Sequence, residues 1–165
     1  MGKLYDLNLT KMNESKFAAT LGDAHEHIVL GLLVRAGFEV GKVDVSSTPY
    51  DLIVCGYTNK KKTVKKFLRI QVKTIRDSLT LKGGSRAGQD RTYKSGVKTY
   101  KYTTEHNDIM IGIDKANLDL YIVPTIITMK FNASVSKSKL KHFKNNWDIF
   151  LNWNGKYLKK LEKKV

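Results

Sequence analysis

Cysteine is almost missing from this 165-residue sequence, and the one present, Cys55, lies inside an apolar run where it cannot build a disulfide framework. It reads as a small buried hydrophobe. Long apolar runs are missing too; none approaches the roughly 18 residues that a membrane crossing needs. The opening segment, MGKLYDLNLTKMNESKFAATLG, lacks the apolar stretch and small-residue cleavage site of a secretory signal. Met1-Gly2 is not followed by the serine or threonine of an acylation motif. No repeat occurs, and no Pro/Gly/Ser stretch is long enough to divide the chain. These absences predict one intracellular domain spanning 1–165, with no membrane association.

Acidic residues are the remaining scarcity. Fifteen Asp and Glu face thirty Lys and Arg, a formal net charge of +15. Such an excess attracts polyanions, nucleic acid first, with an acidic membrane surface or ribosomal RNA as rivals. It is also uneven. Residues 56–106 hold fourteen bases and three acids, and residues 137–165 hold nine and two, whereas residues 1–55 are nearly neutral.

Apolar spacing predicts a helix over residues 19–36, with Leu21, Ala24, Ile28, Leu32 and Ala36 on one stripe and Val29 and Leu33 widening it. Gly37 is suited to end it. Strands are expected at 38–45, 50–55 and 64–74, joined by turns too short for parallel crossovers and therefore forming a meander. In the third, Leu68, Ile70 and Val72 alternate with Phe67, Arg69, Gln71 and Lys73. Residues 75–106 have little clear periodicity, which in a compact domain marks a functional loop or a mobile segment. A tight hairpin is expected from strands 108–113 and 118–123. Helices are expected around 134–146 and 156–164, with Trp147, Phe150, Leu151 and Trp153 packing between them or onto the sheet.

Chemistry concentrates in four residues. Asp51 opens the second strand, and Gln71 and Lys73, two apart on the third, share a face. Mg²⁺ is a hard cation that takes oxygen ligands and keeps several waters. The Asp51 carboxylate, the Gln71 side-chain carbonyl and the backbone carbonyl of Ile70 or Val72 can furnish such a shell, with a phosphate oxygen. Lys73 adds positive charge where a phosphoryl transition state builds negative charge. Glu26 falls at the flank of the helix stripe, placed either to reach the metal through water or to be an ordinary boundary glutamate. His25 and His27 lie two apart on a helix, face different ways and make no ligand pair. They read as partly exposed histidines, with a phosphate contact as a second reading for His25.

Three blocks in order, Gly22-Asp23-Ala24-His25-Glu26, Pro49-Tyr50-Asp51-Leu52-Ile53 and Ile70-Gln71-Val72-Lys73-Thr74, resemble the core of the PD-(D/E)XK nuclease superfamily. The later Asn107-to-Asp114 and Leu120-to-Pro124 pieces resemble its closing hairpin, so the resemblance covers about residues 18–125. It is nearest to intron- or phage-encoded homing endonucleases of this fold, together with archaeal Holliday junction resolvases and small restriction-type nucleases. It implies an α/β fold with a restriction-endonuclease-like core: a mixed central sheet flanked by helices, here with an extended basic loop or hairpin at 75–106 and a C-terminal helical region at 126–165. It also implies Mg²⁺-dependent DNA hydrolysis, with Mn²⁺ as a substitute, by a homodimer or homotetramer. The cellular setting it implies is the cytoplasm or nucleoid, a phage-infected cell or an organelle. Asp51 matches the motif aspartate, Lys73 the motif lysine and Glu26 the helix glutamate. Gln71 stands where most members carry Asp or Glu, as in some homing endonucleases of this fold.

In the basic segment, Arg86, Arg91, Lys94, Lys98 and Lys101 interleave with Tyr93, Tyr100 and Tyr102. Lysines suit phosphate contacts, and Arg76, Arg86 and Arg91 suit base or backbone contacts near the cut. Tail lysines 137–144 and 156–164 read as further phosphate contacts or as a solubilising face. Leu140, Phe143, Trp147, Phe150 and Leu151 read as core. A site-specific DNA endonuclease leads; a catalytically inactive DNA- or RNA-binding protein on the same scaffold is the alternative, and a ribosomal or structural RNA-associated protein comes third.

Overall fold

In the computed structural model the chain is described over residues 8–45, 48–84 and 99–165. Asn13 opens the first helix, α1 (Glu14–Arg35), its side chain accepting from the Lys16 N–H at 2.9 Å. This cap starts the helix earlier than the apolar spacing alone predicts. The end is as expected: Gly37 follows at φ +87°, a left-handed conformation that costs glycine no Cβ clash. The buried face differs from the expected stripe. His25, Val29 and Leu33 are buried, whereas Ala24 and Ala36 are exposed. Two alanines contribute little burial energy, so the helix is turned by one position to centre Val29 and Leu33 on the sheet.

Strands β1 (Val40–Lys42), β2 (Leu52–Tyr57) and β3 (Lys65–Ile75) form the expected antiparallel meander, with Val54 lying between Val40 and Leu68. The first strand is shorter than predicted because its ladder stops at the Lys42–Leu52 pair. Then come three short strands, β4 (Ser78–Thr80), β5 (Lys82–Gly84) and β6 (Thr99–Lys101), of which β5 and β6 pair antiparallel. Strand β7 (Ile109–Asp114) runs parallel to β3, and β8 (Leu120–Pro124) closes the predicted hairpin against it. The sheet order is β1-β2-β3-β7-β8, with one parallel pair. A parallel pair needs a long crossover. Here the crossover is the basic segment, whose described residues form the small strands β4, β5 and β6.

The C-terminal third departs most from expectation. Pro124 leads into a short helix, α2 (Thr125–Thr128). Residues 134–146 are not a helix: β9 (Ser134–Ser136) pairs with β4, and a 3-10 turn spans Lys141–Phe143. Asn145 explains the break. Its φ is +48°, its N–H donates to the Leu120 carbonyl and its side chain accepts from the Leu120 N–H, so this stretch caps the edge of β8. Helices α3 (Asp148–Leu151) and α4 (Gly155–Glu162) follow, the second as predicted.

The core fills from both faces. Leu52, Val54, Leu68, Ile70 and Val72 are buried on one face, with α1 and α3 over it. Gly56 permits the close approach of α3: a Cβ there would lie 2.8 Å from Leu68 and 3.1 Å from the Phe150 carbonyl. Phe38, Trp147 and Phe150 stack in the same layer. Strands β7 and β8 are buried along their whole length.

Candidate active site

Beyond Ile70, β3 has a strand neighbour on one side only among the described residues. Strand β2 pairs with residues 65–70 and stops, while β7 pairs with 70–75. The N–H and carbonyl of Val72 therefore face a gap where the ladder supplies no partner, and a buried pair of this kind must find one. Asp51 lies at the mouth of that gap, its own N–H donating to the Ile70 carbonyl at 2.8 Å. The Asp51 carboxylate accepts from the Val72 N–H at 2.7 Å. The Gln71 amide nitrogen donates both to the same carboxylate oxygen, at 2.6 Å, and to the Val72 carbonyl, at 3.1 Å. Two oxygens thus converge on one point, and in this structure an amide N–H₂ fills it.

The sequence predicts that Gln71 turns its carbonyl toward that point. It turns the carbonyl away instead, where Oε1 accepts from the Tyr102 hydroxyl at 3.1 Å. The Val72 N–H is already taken by Asp51, so the gap presents acceptors to the amide and its donor end goes there.

Burial pushes the Asp51 carboxyl up to about 6, against the pull of the Val72 N–H; the charge of Glu26 adds to the rise, while Lys73 and Gln71 oppose it. Glu26 and Lys73 are thus both near enough to act on Asp51. Glu26 pairs with Lys42 at 3.3 Å, and the two line a cleft of about 310 Å³ with Asp23, Asp44, Tyr50 and Asp51. The Lys73 ammonium lies 5.3 Å from the Tyr102 ring centroid. All four expected site residues therefore gather around one strand end.

Other residues fall elsewhere. His25 is neither exposed nor placed for phosphate: it is 1% exposed, and its Nδ1 meets the Thr74 hydroxyl at 2.7 Å, locking α1 to β3. Burial lowers its pKa. Arg76 is exposed at the far end of β3 beside Asp77, by a separate 360 Å³ pocket with Lys115 and Lys137. Lys101 donates to the Met129 carbonyl at 2.8 Å, and Tyr100, 38% exposed, packs on His106 and Tyr102. Arg86, Arg91, Tyr93, Lys94 and Lys98 lie outside the described residues.

Three supports were not anticipated. Tyr102 holds the Gln71 carbonyl, and its only sequence signal is membership of the basic-aromatic alternation. Arg69 shares the Gln71–Lys73 face by period two. It pairs with Asp108 at 3.0 Å and donates to the Thr104 and Glu105 carbonyls, which folds residues 103–108 against β3. Asn107, fully buried, donates to the Pro49 carbonyl and accepts from the Thr125 hydroxyl, tying the turn before Asp51 to α2.

Among the described residues, no three His, Cys, Asp or Glu side chains cluster as a metal centre. A cation here would instead rest on a mixed set of carboxylate and carbonyl oxygens. An acid, a backbone carbonyl and a lysine at the free end of a strand that is antiparallel on one side and parallel on the other define a nuclease core of the restriction-endonuclease type. The chain belongs to the PD-(D/E)XK endonuclease family, whose model matches residues 18–157. Among solved structures it is similar to a bacterial homing endonuclease, I-Ssp6803I, with a TM-score of 0.63 and 14% identity over 92% of this chain and 97% of that one. At that identity the likeness is one of fold. No curated protein matches the chain. No helix among the described residues is long and apolar enough to cross a membrane.

Proposed function

We propose that this chain is a Mg²⁺-dependent, site-specific endonuclease that hydrolyses phosphodiester bonds of double-stranded DNA, with Mn²⁺ as a substitute, and that its role is homing. One observation carries the reading: Asp51 Oδ2 and the Val72 carbonyl accept from the same nitrogen, so hard oxygen donors meet at one point near Lys73. That donor set suits Mg²⁺. Bound there, the cation supplies charge to the scissile phosphate and acidity to a water.

The chain's own residues do the rest. Asp51 and the Val72 carbonyl would hold the cation directly and Glu26 through water, and Gln71 would add its side-chain carbonyl once the amide turns over from Tyr102. Lys73 places an ammonium against the phosphoryl oxygens as negative charge builds, and orients the attacking water. The β5–β6 ribbon is the base of the basic segment, whose Arg86, Arg91, Lys94, Lys98, Tyr93, Tyr100 and Lys101, with Arg76, track the duplex. A ribbon of two strands fits the major groove. One chain of 165 residues spans little DNA, so a homodimer or homotetramer reads a long site.

Gln71, the basic ribbon and the fold shared with I-Ssp6803I favour homing over restriction or junction cleavage. A second reading, a silent DNA- or RNA-binding protein, has one observation behind it: Gln71 puts a neutral amide where a carboxylate would attract the cation. Cleavage of a randomised DNA library with Mg²⁺, followed by sequencing of the cut ends, separates these. One long site is expected. A requirement for four-way junctions indicates a resolvase, a short palindrome a restriction-type enzyme, and binding without cutting a silent protein.

A further inference from the structure

The Gln71 amide has its nitrogen toward Asp51 and Val72 and its oxygen toward Tyr102. In that orientation an N–H₂, with its partial positive charge, sits between the two oxygens best placed to take a cation. An amide offers an oxygen to that point only by turning over, which swings its two N–H donors toward Tyr102. A phenol hydroxyl is both donor and acceptor and can serve either orientation. Burial first, then the neighbouring Tyr100, raises the Tyr102 pKa and so favours the protonated phenol.

The fold goes to some length to bring this hydroxyl in. Tyr102 follows β6 directly and is 4% exposed, and its N–H donates to the Leu81 carbonyl. Gly83, opposite Tyr100 on β5, leaves the room: a Cβ there would lie 2.7 Å from both Cζ and Oη of Tyr102. The residue that touches the amide is thus attached to the base of the basic ribbon.

We propose that Tyr102 is a positioning residue for the cation site. Its hydroxyl donates to the Gln71 carbonyl while the amide nitrogen fills the gap, and accepts from that nitrogen when a divalent cation takes the gap and the amide turns over. The inference rests on the metal-dependent reading above. Removing the hydroxyl takes a donor from the Gln71 carbonyl in the cation-free form but an acceptor from an amide N–H in the loaded form, and a buried N–H is the less tolerated of the two to orphan. Cation binding therefore weakens.

The test is titration of DNA-free protein with Mn²⁺ by calorimetry, for the wild type, Tyr102→Phe, Gln71→Glu and the double variant. A carboxylate at 71 has an oxygen for each side and needs no turn. Tyr102→Phe is expected to weaken Mn²⁺ binding about tenfold in the Gln71 background and less than about twofold in the Gln71→Glu background. Equal weakening in both, or none with Gln71, overturns the inference. Should the phenylalanine variant not fold, side-chain amide NMR of the wild type decides. The Gln71 signals, assigned by their loss in Gln71→Glu, shift on adding Mg²⁺; unmoved signals in a Mg²⁺-saturated protein overturn the inference as well. If the wild type binds no divalent cation, the metal-dependent reading falls with it. If binding is present and Asp51→Asn abolishes it while Tyr102→Phe changes nothing, only the role of Tyr102 is lost.

Discussion

Val72 and Asp51 complete each other: the N–H that the sheet leaves unpaired at Val72 donates to Asp51 Oδ2 at 2.7 Å. The same bond fixes the carboxylate beside the Val72 carbonyl. A gap in a β-ladder is thus both the structural reason for an acid at 51 and the place where a cation would be held.

Asp51 makes the site sensitive to pH. Its carboxyl is raised to about 6, so the cation-free fold holds a proton there more tightly than the unfolded chain does. This group therefore destabilises the cation-free protein above about 6, and the penalty is relieved as pH falls through that value toward the ordinary carboxylate range. A cation held at Asp51 would compete with the same proton. Mn²⁺ affinity is expected to drop about tenfold per unit below pH 6, measured by calorimetry across that window. A flat profile down to about pH 5 contradicts this.

His25 responds in the opposite sense. Its pKa is lowered by burial, so the fold keeps it neutral while the unfolded chain takes up a proton near the ordinary value of 6.5. Stability from this group is present above that value and is lost as pH falls below it. His25→Asn, which does not titrate, should cost about 1–3 kcal/mol near neutrality, and the gap from wild type should narrow as pH falls to about 5. Thermal melts at several pH values check the sign.

Arg69 holds residues 103–108 through Asp108 and two carbonyls. Truncation removes the guanidinium from a half-buried carboxylate and leaves it the Arg69 backbone N–H. Arg69→Ala is expected to lower stability by about 1–3 kcal/mol, and Arg69→Lys to restore only part, because an ammonium lacks the forked geometry. Denaturant melts of both variants give the answer.

Gly83→Ala pushes a methyl into the Tyr100–Tyr102 pair. Overpacking of this kind costs about 1–3 kcal/mol. The variant should also weaken Mn²⁺ binding, since Tyr102 is moved off Gln71. A stability loss with unchanged Mn²⁺ affinity would show that the ribbon base and the cation site are uncoupled.

How much of this is legible in the sequence follows from the range of each contact. Gln71 and Lys73 share a face because strand period is two, and Asp51 opens its strand beside a turn; local geometry suffices for all three. The choice between Ile70 and Val72 carbonyls needs the end of the β2 ladder, which no local pattern reveals. Tyr102 reaches Gln71 across the β3–β7 crossover, and nothing in the spacing of residues 75–106 shows that the segment folds back. The helix stripe failed at His25 because alanine counts as apolar in a periodicity but buries little area. Residues 134–146 have helical spacing of Leu140 and Phe143, yet Asn145 takes a left-handed conformation to bond the edge of β8, and the helix is lost to that tertiary contact.

The central claim is that Asp51, Gln71 and Lys73 form one catalytic centre with a divalent cation. Cleavage of DNA carrying the selected site, with Mg²⁺ and with EDTA, measures it most directly in the wild type, Asp51→Ala and Lys73→Ala. Cutting should require Mg²⁺ and fall at least about a thousandfold in each variant while DNA binding persists. Undiminished cutting by either variant would contradict the account.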